Sequence, residues 1–444
     1  MTQMNWHTLL SAERLCNTKP AGPDAGRTDA GRTDFHKDHD RIVFSSAFRR
    51  LGRKTQVHPL TENDHVHTRL THSIEVASVG RSLGMMVGQL IHDRLPAHIA
   101  PHDIGAIVQA ACLAHDIGNP PYGHAGEYAI RDWFCQTDKA YLLEPLSALE
   151  QLDLQTFEGN AHGFRVITQL ENHRFNGGLR LTYATLGAML KYPWTVEHTG
   201  QKQKFSCYQA EAPLLEDVAT RLGLPQLAPR RWARHPLSYL MEAADDICYA
   251  LLDLEDGIEI GVLKYEQVEP ILISLIGDST ELRDELAESP TTRRRISLLR
   301  GQAIQRMVNA VAQAFVANHD ALLAGEMEHD ILRACPAHIT DSLNTAKQLA
   351  RTDIFNTRQK VEVEVGAYTT LDMLLEPFFN AVYQLKTSGT LSFRARRTLD
   401  LMEHNVPGRD WSLYHAYMRV LDFIGGMTDN YASYLARQVG GLGQ

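Results

Sequence analysis

Apolar residues recur at helical spacing along most of this chain, and strict two-residue alternation is rare. From Thr71 to about Leu95, the positions Ile74, Ala77, Leu83, Met86, Val87 and Leu90 predict an amphipathic helix with His72 in its first turn. Ile104 to Leu113 is a long apolar stretch that runs into His115 and Asp116. Gly118, Asn119, Pro120 and Pro121 follow, residues that stop a helix and turn the backbone. Further helices are predicted over 103–115, 125–135, 161–171 and 181–190. From Leu237, the residues Leu237, Leu240, Met241, Ala244, Ile247, Cys248, Leu251 and Leu252 trace a single stripe. Asp245 falls about 90° from the centre of that stripe and Asp246 about 170° away, on the solvent side. Tyr249 and Asp253 succeed Asp245 by one and two turns along the same edge. Lys360 to Gly366, K-V-E-V-E-V-G, is the one stretch that predicts a strand. Residues 24–33 read D-A-G-R-T twice and predict a mobile loop, and the polar run from Val196 to Gln209 predicts a surface insertion. The expected fold class is all-α, a large multi-helix body with at most a minor β hairpin.

Composition narrows the picture. With 44% hydrophobic and 22% charged residues over 444 positions, the chain can bury a large core without staples. Six cysteines show no C-x-x-C and no framework spacing, which predicts reduced thiols and a cytoplasmic location. The first residues lack a basic segment followed by an apolar run, and no apolar stretch reaches membrane-spanning length. A net charge of −9 argues against a surface that coats DNA in general. Local basic clusters remain at Arg230, Arg231 and Arg234, at Arg293 to Arg295, and at Arg394, Arg396 and Arg397, where phosphates or a neighbouring subunit could meet them.

The candidate chemistry lies in four side chains, His72, His115, Asp116 and Asp245. Two imidazoles and two carboxylates form a donor set for one divalent cation. They suit Mn, Fe, Co, Ni or Zn and accommodate Mg less naturally. The dipeptide His-Asp by itself is uninformative, because it occurs six times, at His39, His92, His102, His115, His319 and His329. Context selects His115, at the end of a buried helix; the other five sit in polar surroundings that predict solvated faces.

The ordered motifs H-T-R-L-T-H-S (67–73), H-D-I-G-N-P-P-Y-G-H-A-G-E (115–127), F-E-G-N-A (157–161), K-Y-P-W (191–194), E-A-A-D-D-I-C-Y-A-L-L-D-L-E-D (242–256) and F-I-G-G-M-T-D-N-Y-A (423–432) resemble the deoxyguanosine triphosphate triphosphohydrolases of the HD-domain superfamily. The resemblance spans about Arg41 to Ala432; one departure is His162, where the family often has Gln. It implies an HD-domain fold with an N-terminal segment over 1–40, a metal-dependent phosphohydrolase core over 41–260 and a C-terminal helical region over 261–444. It also implies hydrolysis of a deoxynucleoside triphosphate, dGTP favoured, at the α-phosphorus to give deoxynucleoside and tripolyphosphate. One divalent ion (Mn, Mg, Co, Ni, Fe or Zn) would sit on the four ligands. Position by position, the resemblance makes His124 the catalytic histidine and Glu127 its orienting partner. Arg69 and Lys191 would hold phosphate oxygens, with Tyr192 and Asn160 adjacent, while Gln56 and Asp253 would bind the sugar 3′-hydroxyl and Tyr249 would pack against C2′.

Two rival functions stand beside this one: another HD-type nucleotide phosphohydrolase, such as a nucleotidase or alarmone hydrolase, and a non-catalytic sensor of nucleotide or single-stranded DNA. The resemblance further implies a homo-oligomer, often a hexamer; single-stranded DNA or a dNTP is a candidate effector, and the lack of a membrane-length apolar stretch predicts no membrane partner.

Overall fold

The computed structural model describes residues 3–15, 32–57, 66–171, 178–200 and 203–443. The duplicated D-A-G-R-T segment falls largely at 24–31, outside the described residues, as does Cys16. Among the described residues the fold is helical apart from one two-stranded antiparallel hairpin, Gln226–Ala228 with Arg231–Trp232, and a few isolated bridges. No described helix is long and apolar enough to cross a membrane. The described cysteines are all free.

The centre is an antiparallel pair of helices, Arg69–Leu90 and Pro101–Ala114. Thr68 starts the first by accepting from the Thr71 amide at 3.2 Å, while Thr71 accepts from the Thr68 amide at 2.9 Å. Gly84 faces Gly105 so closely that a Cβ on Gly84 would lie 2.8 Å from the Gly105 Cα. Gly88 meets Pro101 and Gly80 meets Cys112 in the same register. This register sets His72, near the start of one helix, opposite His115, the residue that ends the other. Helix Pro236–Glu259 packs across both, with Ala244 beside Gly80. The buried line of the first helix runs through Val76, Val79, Leu83 and Val87; Ile74 and Leu90, predicted for that face, are exposed.

A second apolar cluster joins Trp133 and Phe134 to Phe378, Phe379, Tyr414 and Tyr417. Its spine is the helix Arg358–Thr387. This helix replaces the predicted strand at Lys360–Gly366. The alternating valines do not form a buried sheet face, for Val361 and Val365 are exposed. Pairs at helical spacing, Arg358 with Glu362 at 2.7 Å and Lys360 with Glu364 at 3.3 Å, join Ala367, Leu371, Leu374 and Phe378 in a 3.6-residue pattern that wins.

Buried charges tie the clusters together. Arg165 reaches Glu211 at 2.5 Å and Asp422 at 2.7 and 2.8 Å. Nearby, the fully buried Asp153 accepts from the Tyr414 hydroxyl at 2.6 Å and the Gln209 amide at 2.7 Å. Burial pushes its carboxyl up to about 7. The folded state therefore holds a proton that the unfolded chain releases above about pH 4, and stability falls as pH rises toward 7. Asp153→Asn keeps an acceptor oxygen and does not titrate. Its melting temperature should exceed the parent's by a margin that widens from pH 5 to 7 and levels off above, equivalent to roughly 2–4 kcal/mol. A margin independent of pH contradicts this.

Candidate active site

A cavity of about 330 Å³ opens where the two clusters meet, and its lining includes His72, His115, Asp116 and Asp245. His72 Nε2 lies 3.2 Å and His115 Nε2 3.5 Å from Asp245 Oδ1. Donor atoms of His72, His115 and Asp245 all lie within 4.8 Å of one another, a spacing that could hold one metal ion. Asp116 stands just outside that group, its Oδ2 3.7 Å from His115 Nε2. Arg69 at 3.0 Å and the Asn119 side-chain amide occupy Asp116 Oδ1, so Oδ2 is left buried without a hydrogen-bond partner. An orphaned carboxylate oxygen beside two imidazoles fits a cation. The His115 Nδ1 contacts the Cys112 carbonyl at 2.6 Å, which turns Nε2 toward the cavity. Burial alone would raise both acids. The neighbouring His115, His72 and Lys191 pull Asp245 well below the usual carboxylate range, and Arg69, His115 and His72 lower Asp116.

His124 is exposed at the cavity mouth and held by one carboxylate, with Nδ1 2.8 Å from Glu127 Oε2. The other oxygen of buried Glu127 accepts from the Gly159 amide at 2.6 Å. Burial opposes its ionisation, but His124 and Lys204 outweigh that and keep Glu127 charged. Arg69, Asn160, Lys191, Tyr192, Tyr249 and Gln56 also line the cavity. Lys191 Nζ stands 3.4 Å from Glu242 and 3.9 Å from Asp245, and these acids raise its pKa against burial. Asp253 is buried one turn beyond Tyr249 but outside the lining, and its Oδ2 has no partner; burial and Asp256 push its carboxyl up.

The HD domain family profile matches residues 69–183. A protein of Pseudomonas aeruginosa (strain LESB58) named deoxyguanosinetriphosphate triphosphohydrolase-like is 53% identical over 443 residues, 99% of each chain. This chain belongs to the deoxyguanosinetriphosphate triphosphohydrolase-like family of HD-domain proteins. A relative of the same name from Synechocystis sp. is 39% identical over 99% of this chain and all of its own. A protein of Yersinia pestis (strain Pestoides F) named deoxyguanosinetriphosphate triphosphohydrolase is 30% identical over 90% of this chain and 92% of its own.

Against that family frame, several residues reach the cavity from places the sequence reading passed over. Lys204 comes from the predicted surface insertion, yet Phe205, Ser206, Cys207 and Tyr208 beside it are buried. Its amine lies 2.8 Å from Glu158 and 3.8 Å from Glu127. The apolar F-S-C-Y after K-Q-K was the overlooked signal. Asp246, expected in solvent, lines the cavity because helix Ala337–Leu349 covers that side and supplies Lys347 at 3.1 Å. Phe355, Lys360, Val363 and Glu364 line it as well. His162 does not: its Nδ1 contacts the Gly118 carbonyl at 3.0 Å, and its Nε2 lies 3.6 Å from Asp422. His319, expected on a solvated face, is buried and accepts from the Trp6 indole at 3.0 Å. The remaining His-Asp dipeptides stay out of the metal group. In the basic clusters, Arg234 pairs with Glu242 at 2.7 Å and Arg293 with Glu259 at 2.6 Å.

Gly118 permits the loop after His115 to touch helix Gly159–Arg165. A Cβ there would run into the Gly159 carbonyl and the Gly163 amide. Gly118→Ala should cost at least about 2 kcal/mol by overpacking, read by urea unfolding. A loss within about 0.5 kcal/mol would refute the tight contact.

Proposed function

We propose that this chain, a hydrolase of its family, is a metal-dependent deoxynucleoside triphosphate triphosphohydrolase, with dGTP favoured. It cleaves at the α-phosphorus and releases deoxynucleoside and tripolyphosphate. The observation that carries the reading is the gathering of His72, His115 and Asp245 within 4.8 Å in a cavity that is also lined by His124 and a ring of cations. Asp116, through its free Oδ2, is the fourth proposed ligand. His72, His115, Asp245 and Asp116 would hold a divalent cation, which would supply Lewis-acid stabilisation of phosphate charge and activation of water. The mixed nitrogen and oxygen donors favour Mn, Fe, Co, Ni or Zn over Mg.

The chain's own residues do the rest. Arg69, Lys191 and Lys204, with Tyr192 and Asn160, face the charge of a triphosphate with fixed donors. His124 delivers a proton to the departing 5′ oxygen, and Glu127 orients the ring and stabilises its charged form. Buried Gln56 Oε1 and Asp253 Oδ2, both without partners, are the proposed acceptors for the sugar 3′-hydroxyl. The Tyr249 ring closes the space in which a 2′-hydroxyl would lie. Tyr249 and Phe355, with ring centroids 5.8 Å apart, offer apolar faces to a base. The Glu364 carboxylate can accept from both N1–H and the 2-amino group of guanine, a donor pair adenine lacks.

Incubation of Mn-loaded protein with each dNTP and rNTP should yield deoxynucleoside and tripolyphosphate from dNTPs, dGTP fastest, and leave rNTPs intact. Orthophosphate as the product would instead mark a different nucleotide phosphohydrolase, and no product from any dNTP would end the proposal. His124→Ala should lower kcat by about 10²–10⁴-fold with nucleotide binding retained; unchanged turnover removes His124 from the chemistry. Glu364→Gln should reduce the kcat/KM preference for dGTP over dATP by roughly 10–100-fold, and an unaltered ratio would assign base choice elsewhere.

A further inference from the structure

The tail motif F-I-G-G-M-T-D-N-Y-A carries none of the site residues proposed above, yet it grips both walls of the cavity. Tyr122 and Gly123, just before His124, have φ of 63° and 57°. A tyrosine adopts that left-handed region only where its surroundings impose it. Asp429, buried at the start of helix Asp429–Val439, imposes it. Its Oδ1 accepts from the Tyr122 amide at 2.9 Å and its Oδ2 from the Thr55 amide at 2.8 Å. The Tyr122 hydroxyl donates back to the Asp429 carbonyl at 3.2 Å and meets Ser433 Oγ at 2.7 Å. Lys54 strengthens the same seam. Its buried amine donates to the Asn119 carbonyl at 2.5 Å and the Gly425 carbonyl at 2.7 Å. A single carboxylate thus spans the segment carrying Gln56 and the turn carrying His124, without itself lining the cavity.

We infer that Asp429 is a positioning residue for His124. The His124 side chain is 73% exposed, so little packing fixes its ring beyond the contact with Glu127. Its direction therefore depends on where the backbone turn emerges, and a displacement of about 1 Å in a proton donor can cost about 100-fold in rate. Asp429 stops that turn from relaxing toward negative φ. The inference rests on the reading of His124 as the proton donor.

The test is a double-mutant cycle between Asp429→Ala and His124→Ala, with dGTP, Mn and kcat, KM and melting temperature as readouts. Asp429→Ala alone should lower kcat by about 10–100-fold, well beyond any rise in KM. In the His124→Ala background the same change should cost less than about twofold. Asp429→Asn, which offers one oxygen to two amides, should show the same pattern more weakly and serves if the alanine variant fails to fold. Equal losses in both backgrounds, an unchanged kcat, or failure of both variants to fold would overturn the inference by reducing Asp429 to a stability role. A His124→Ala variant with full turnover would instead refute the proton-donor reading itself.

Discussion

Gly84 and Gly105 bring the Arg69–Leu90 and Pro101–Ala114 helices so close that a methyl on Gly84 would press into the facing backbone. The site depends on that approach. Antiparallel packing at this distance fixes the register, and the register sets His72 across from His115 with ring centroids 5.6 Å apart. A third helix, seated by Ala244 against Gly80, then delivers Asp245 to the same point. Close-packed interiors transmit small changes of this kind, because the helices have no slack in which to absorb added volume.

Around that point the cavity pairs acids with cations in unequal ways. Asp116 is satisfied on one oxygen and bare on the other, and Gln56, Asp253 and the Arg69 Nε likewise keep buried polar atoms without partners. Native interiors seldom leave such atoms unmet. Those on Asp116, Gln56 and Arg69 belong to residues that line the cavity and are open to a polar ligand there, while others lie elsewhere in the fold. Lys191 and Lys204 meanwhile rest on Glu242, Glu158 and Glu127, so neighbouring acids hold these positive groups in place.

Much of this was legible in the sequence because it was local. Helical periodicity placed His72 in a first turn, His115 at a helix end and Asp245 beside an apolar stripe, and the all-α class followed from the same pattern. What periodicity could not supply was the partner of each face. Asp246 looked wet from its own helix and is covered by another. Lys360–Gly366 alternates over seven residues, but the helix that contains it is specified over thirty, by apolar positions further along. Lys204 lay in a polar run, but its partners Glu127 and Glu158 and the apolar cluster that buries Phe205 and Tyr208 are far away in sequence. His319 was misplaced for the same reason, since its burial comes from Trp6.

The seam formed by Lys54, Gly425 and Asp429 has a consequence for how the protein comes into being. During synthesis His72, His115 and Asp245 leave the ribosome long before Gly425 and Asp429 do. The contacts that tie the turn bearing His124 to Asp429 can therefore form only after the tail has been made. The last part of the chain to be translated thus completes a contact whose other half, Thr55 and Tyr122, was laid down early.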